Sequence, residues 1–599
     1  MQTAAIDPTQ YPLGSNILEE GTVFRVWAPN ADKVSVIGDF NKWDASVHTL
    51  EGSEEGVWSI FVAEAKEGDE YKYLITNGEN EMERIDPRAI EVTNSTGNAI
   101  IRSQEFDWHE TEFQMPPHNQ LVIYELHAKT FPEESGKSCL DAIIDKLPYL
   151  AGLGINAIEV MPLAEFPGDN SWGYNPSHPY AVESSYGGPL ALKRLVQAAH
   201  KNGIGVILDV VYNHFGPGDL DLWKFDGWSE NDGGGIYFYN DWKAETPWGA
   251  TRPDYGRDEV RSYIFDNAMM WLKDYRVDGL RYDATLLIRN VNEDEDPSNE
   301  IPEGWSLVQW INGEIRKQFP ERIIIAEDLK SNAALTKSAL AGGADFHAQW
   351  DANFVFPIRD QLTKAEDDWR SLEDVRKTLL FHYNDDVFQR IIYTESHDEV
   401  AQEKARVPQE VQDDNATGYF AQKLSCLGAG LLFTCPGVPM IFQGQEFLQG
   451  GSFSDEFPLE WTRAEQFSGL IQMYHDLIHL RQNRDMKTGG LCGQGVIVHH
   501  INEEQNVIAF QRFSTHGVGD DVIVVCNLSH EERDGYRIGM PSGGEWKLRF
   551  NSDAKLYSEL FNDVPSHDIQ ADGEGQDGMP HSALIRIGPY STLIYSQGE

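Results

Sequence analysis

Residues 205–214 read Gly-Val-Ile-Leu-Asp-Val-Val-Tyr-Asn-His. The first seven form a short apolar run, and Asp209, Asn213 and His214 gather toward its end. Seven further short apolar runs stand at 121–127, 157–161, 279–283, 322–327, 344–350, 390–394 and 439–442. Helical periodicities separate most of them, for example at 190–201 and 259–275. Eight strand–helix units over one span predict an α/β fold of the (β/α)8 TIM-barrel type. A doubly wound sheet usually has fewer strands.

On both sides of this span the pattern turns to β. Alternating runs at 22–29, 33–40, 58–62 and 71–75, with turn signals between them, predict a β-sandwich over 1–105. Runs at 495–500, 507–511 and 521–527 predict a second sandwich over 491–599. The barrel occupies 106–490. It carries a Gly- and aromatic-rich insertion at about 215–256 that holds Trp223, Trp228, Tyr237, Tyr239, Trp242 and Trp248. Such a long connection is expected to be functional. Its aromatics have two readings, the insertion's own small core or a stacking surface for a ligand chain.

The chain has 599 residues, with 48 Lys and Arg against 96 Asp and Glu, a formal charge of −48. That field opposes binding to nucleic acid or to anionic membranes, both of which need basic patches. It tolerates neutral ligands such as sugars. The five cysteines are scattered, with no C-x-x-C pair, so neither a disulfide framework nor a zinc site is expected, and a cytoplasmic location is. The most apolar long stretch, 427–442, reads as a buried helix followed by a buried strand.

In a barrel of this type the site forms at the C-terminal ends of the strands. Four strands deliver carboxylates there: Asp209, then Asp283 behind Arg281, then Glu327 and Asp328, then Asp398 and Glu399 beside His397. Any one of these is unremarkable as a cap or a loop residue. Together they repel one another unless a ligand or a shared proton offsets the repulsion, so the cluster favours an active site. Without a nucleophilic cysteine, a Ser–His dyad or a phosphate loop, the chemistry that suits carboxylates is retaining glycosyl transfer. It uses one carboxylate as nucleophile and a second as acid, then base. Ca2+ ligation by Asp209, Asn213 and His214 is the rival reading.

The runs ending in His214 and Asp283, the strand ending in Glu327, and Ser396-His-Asp398 stand in the order of the signature regions of the α-amylase family, which the chain resembles along its whole length. The resemblance implies Asp283 as nucleophile, Glu327 as acid/base and Asp398 as transition-state stabiliser. It implies Tyr174, His214 and His397 as sugar contacts, Arg281 as the nucleophile's partner, and Asp209 as a support. It implies an α-glucan substrate and no organic cofactor, and it leaves a structural Ca2+ or Mg2+ open.

Within the family, Phe24-Arg-Val-Trp-Ala-Pro29, Gly38-Asp-Phe-Asn-Lys-Trp43, Ser396-His-Asp-Glu399 and Gly444-Gln-Glu-Phe447 are similar to branching enzymes. Glu165-Phe-Pro-Gly168, Tyr186-Gly-Gly-Pro189 and 211–217 are similar to trehalohydrolases. The region nearest the chemistry, 396–399, favours branching. Trehalohydrolysis or general α-glucan hydrolysis is the alternative, and a noncatalytic glucan-binding role comes behind both.

Overall fold

The computed structural model describes residues 6–109, 113–133, 135–294 and 296–598. Eight parallel strands close into a barrel. They are β1 Ile123–Leu126, β2 Ala157–Val160, β3 Gly205–Val210, β4 Gly279–Tyr282, β5 Ile323–Ala326, β6 Ala348–Trp350, β7 Arg390–Ile392 and β8 Val438–Phe442, and β8 pairs back onto β1. Each of the eight apolar runs supplies one strand. Every residue of these strands is buried, as expected of a parallel sheet covered by helices. Those helices include Gly188–Lys201, Asp258–Lys273, Pro302–Gln318 and Tyr419–Thr434.

Alternation along the strands sorts the side chains. Tyr124, Ile158, Leu208, Leu280 and Ile324 join the large core shared with the helices. Ile123, Ala157, Ile207, Ile323 and Met440 form a separate cluster inside the barrel. Two residues further along β1–β4, on that same inner face, the chain places Glu125, Glu159, Asp209 and Arg281. An apolar floor thus carries a polar layer at the C-terminal end. The walls come very close at Gly279, where an added Cβ would lie 2.6 Å from the Ile323 carbonyl oxygen.

The flanking parts are β-structures, as expected. At the N-terminal end, Gly14–Leu18, Gly21–Trp27, Val57–Val62 and Glu51–Gly52 make one sheet, and Lys33–Gly38, Glu70–Asn77, Asn80–Arg84 and Ala99–Ile100 make the other. The C-terminal part has a six-stranded sheet, with Val507–Phe513 and Val522–Asn527 near its centre, and the pair Arg533–Met540 with His581–Ile587. The insertion leans on the N-terminal sandwich, because Asp226 accepts from the backbone and side-chain N–H groups of Asn30, both at 2.9 Å. Its aromatics differ in burial. Phe225, Tyr237, Phe238 and Tyr239 are buried in the large core shared with the helices and the N-terminal sandwich, whereas Trp242 and Trp248 are 54% and 45% exposed. All five cysteines are free thiols. Among the described residues no helix is long and apolar enough to cross a membrane.

The barrel and the C-terminal sandwich are joined by a fully buried ion pair, Lys423 Nζ to Asp553 Oδ1 at 2.7 Å. Lys423→Met leaves the carboxylate without its counter-charge, which is expected to cost about 3–5 kcal/mol. A lowered midpoint of the thermal transition that includes the C-terminal sandwich checks this.

Candidate active site

The polar layer is organised around Arg281, which has no exposed surface. Its Nη1 donates to both oxygens of Asp209, at 3.0 and 2.8 Å, and to Asp283 Oδ1 at 2.9 Å. Its Nη2 lies 3.8 Å from Glu327 Oε2. The guanidinium also sits over the Trp350 ring, 4.3 Å from its centroid. One cation from β4 therefore faces carboxyls from the ends of β3, β4 and β5. Burial alone would disfavour its charge, but these carboxyls hold Arg281 far above the ordinary arginine range.

The second oxygen of Asp283 accepts from Asn213 Nδ2 at 2.8 Å, and the same amide reaches the Asp283 carbonyl oxygen at 3.0 Å. Donors thus fix both carboxylate oxygens. Glu327 Oε2 accepts from the backbone N–H of Ala284 at 2.6 Å. Ala284 has φ +39°, a left-handed conformation costly for a residue with a Cβ, and here the turn after Asp283 aims this N–H at the acid. Burial pushes the Glu327 carboxyl up; Arg281 pulls it back, Asp283 and Asp398 add to the rise, and it settles at about 8.

Tyr174 is carried in by the loop after β2. That loop turns at Gly173, where φ is +95° and an added Cβ would lie 2.5 Å from the Pro162 carbonyl oxygen. The Tyr174 hydroxyl donates to Asp209 Oδ2 at 2.6 Å, and its ring stacks on His397 with centroids 4.9 Å apart. His397 Nε2 lies 3.4 Å from Asp398 Oδ2, and its Nδ1 lies 2.5 Å from Glu125 Oε1. Asp398, with its side chain 48% exposed, is the open edge of the site. Among the described residues no group of three His, Cys, Asp or Glu side chains converges as a metal site would.

The sequence compares with known families in the same order as its parts. The profile described as the catalytic domain of alpha amylase matches residues 123–219 and 222–485. The chain belongs to the α-amylase family. Ahead of this domain, 12–89 match carbohydrate-binding module 48, the isoamylase N-terminal domain, and behind it 497–598 match the alpha amylase C-terminal all-beta domain. A 1,4-alpha-glucan branching enzyme of Nitrosomonas europaea is 32% identical, covering 97% of this chain and 81% of that one. One from Corynebacterium diphtheriae is 30% identical, with 96% and 80% covered. In three dimensions, the type I pullulanase of Bacillus subtilis complexed with maltose superposes with a TM-score of 0.75 at 21% identity. It spans 98% of this chain and 86% of that one, and at that identity it speaks for the fold.

In this member of the α-amylase family, seven of the eight residues singled out in the sequence form one connected group: Tyr174, Asp209, Arg281, Asp283, Glu327, His397 and Asp398. The eighth, His214, is adjacent but sealed. It is fully buried, its Nδ1 lies 2.5 Å from Asn213 Oδ1, its Nε2 has no hydrogen-bond partner, and the exposed Trp248 ring stacks over it at 4.4 Å. Two other rim acids are engaged elsewhere, Asp328 with Arg289 and Glu399 with Lys404. Asn213, weighed in the sequence as a metal ligand, turns its amide to Asp283. Sequence reasoning missed Glu125, Glu159 and Ala284. An acid at an inward position of an apolar strand is a usable signal for the first two, because a buried carboxyl needs a reason. Ala284 leaves no such trace.

Burial lowers His214 to about 4, against a smaller upward pull from Asp283, so the ring is neutral near pH 7 and nucleophilic once reached. Trp248→Ala is expected to open it to diethylpyrocarbonate. Peptide mass spectrometry should find His214 carbethoxylated in the variant and protected in the parent chain.

Proposed function

We propose that the chain is a retaining 1,4-α-glucan branching enzyme that cuts an α-1,4 link and moves the freed chain to a glucan 6-hydroxyl. The observation that carries this is the full-length likeness to proteins named 1,4-alpha-glucan branching enzyme, at 30–32% identity over 96–97% of the chain. The Ser396-His-Asp-Glu399 run and the carbohydrate-binding-module profile support the same reading. Free thiols at all five cysteines suit the reducing cytoplasm where we place it.

The roles are those that the family resemblance implies for these residues. Asp283 attacks C1 of the donor glucosyl unit while Glu327 gives its proton to the departing glycosidic oxygen, leaving a glycosyl ester on Asp283. Glu327, now a carboxylate, takes the proton of an acceptor 6-hydroxyl. That oxygen attacks C1 and frees Asp283, so one α-1,4 bond is exchanged for one α-1,6 bond. Arg281 stabilises negative charge on the nucleophile before attack and after release. Asp398, at the open edge, grips sugar hydroxyls and the positive charge that develops at C1. Tyr174 and His397 form the surface on which that sugar rests.

Amylose tests the reading. Loss of iodine colour with few new reducing ends, together with α-1,6 signals in proton NMR, is expected. Rising reducing ends without α-1,6 links identify a hydrolase instead, and trehalose released from maltooligosyl trehalose identifies a trehalohydrolase. Asp283→Asn is expected to lower turnover by roughly 10^4-fold or more with the fold retained; near-normal turnover would remove Asp283 from its role. Because Glu327 must hold a proton to act as the acid, and its carboxyl stands at about 8, activity should be sustained below that pH and fall as pH rises through it. A pH–rate profile reads this directly, and an alkaline limb near the ordinary carboxylate range contradicts it.

A further inference from the structure

Glu125 has no part in the chemistry above, yet it makes the most direct hold on a sugar-contacting side chain. It projects from β1 into the barrel and is 1% exposed. Its Oε1 lies 2.5 Å from His397 Nδ1, and its Oε2 accepts the His397 backbone N–H at 3.2 Å. One carboxylate thus fixes both the ring and the main chain of the same residue. With Nδ1 turned inward to Glu125, Nε2 faces outward to Asp398, 3.4 Å away at the open edge of the site. Tyr174 closes one side of the ring by stacking.

Other charged and titratable groups also face this ring. Glu159 on β2, 1% exposed, has no hydrogen-bond partner on either oxygen, and burial holds its carboxyl well above the usual range. His127, after β1, is neutral, lowered to about 4 chiefly by burial. Arg281 on β4 acts against a positive His397, while Asp209 on β3 favours it and is itself paired with Arg281. Glu125 and Asp398 therefore remain as the two carboxylates touching His397. Burial works against the imidazolium, but Asp398 and Glu125 outweigh it and raise the ring to about 9.

We propose that Glu125 is the positioning residue of this site: it locks His397 as an imidazolium whose Nε2–H is presented to a hydroxyl of the sugar being transferred. The role follows from geometry. Nδ1 is occupied, so Nε2–H alone can reach a ligand, and a ring held at two points loses little freedom when it binds. Glu125 acts through His397 and touches no substrate. The inference rests on the proposed function only in naming the reaction, because cleavage of the donor link is common to branching and hydrolysis.

The test is a double-mutant cycle on the full chain, read as fluoride release from α-maltosyl fluoride, with Glu125→Gln, His397→Asn and the pair. Glu125→Gln keeps the shape but removes the charge. It is expected to lower kcat about tenfold with KM little changed, and to move to lower pH the alkaline limb of this fluoride profile, in which the leaving group needs no proton from Glu327. In the His397→Asn background the same change should do almost nothing. Glu125→Asp keeps the charge and should recover the alkaline limb at least in part; it also carries the cycle if Glu125→Gln does not fold. Additive effects of the two single changes, or loss of kcat with the alkaline limb unmoved, would overturn the proposal. Absence of α-1,6 links in the parent enzyme's amylose products would remove the branching assignment and leave this cycle intact.

Discussion

A guanidinium with no exposed surface must be balanced within hydrogen-bond reach, and Arg281 is balanced by the acids of the site itself. Two carboxylates touch it and a third carboxyl stands 3.8 Å away. Without that cation, nothing of opposite charge on β4 would offset the rise that burial and Asp283 impose on Asp209 and Glu327. With it, the layer supports opposite demands. Asp283 faces a fixed positive charge and an amide donor, whereas Glu327 lies further from the cation and keeps its proton to about pH 8. Two carboxyls held differently by one arginine are what a retaining mechanism asks of its nucleophile and its acid.

The barrel makes this arrangement affordable. Along β1 to β4 the strands are apolar except where the inward face nears the C-terminal end, and there they contribute Glu125, Glu159, Asp209 and Arg281 in turn. The floor of isoleucine, alanine and methionine below them excludes water from one side, and Trp350, Tyr174 and Trp172 surround His397 and the cation on others. The −48 charge thereby separates into two populations. A few acids sit in this layer with their charges managed one by one. Most of the rest are on the surface, where they solvate the molecule and take no part in the site.

Much of this was readable from sequence, for physical reasons. Parallel barrel strands are buried on both faces, so each appeared as an apolar run, and all eight were found. Site residues at strand ends stood out because Asp, Arg, Glu and His interrupt those runs at one edge. What escaped depended on three-dimensional neighbours. Glu125 and Glu159 lie inside runs that otherwise look like ordinary strand. The left-handed turn at Ala284 leaves no compositional mark. The fate of the insertion aromatics was set by packing against residues distant in sequence, so Tyr237 is core and Trp248 a cover over His214. That cover leaves His214 with no open path to a sugar in this conformation.

On the proposed function, Asp283, held by Arg281 and Asn213, is the nucleophile that bonds C1 in a two-step transfer. Its most direct test is mass spectrometry of Glu327→Gln treated with α-maltosyl fluoride. Fluoride leaves without a proton from the acid, so the first step proceeds, while the second lacks its base and the intermediate accumulates. A maltosyl ester on the peptide that carries Asp283 is expected. No adduct, or an adduct on Asp209 or Asp398, would contradict it.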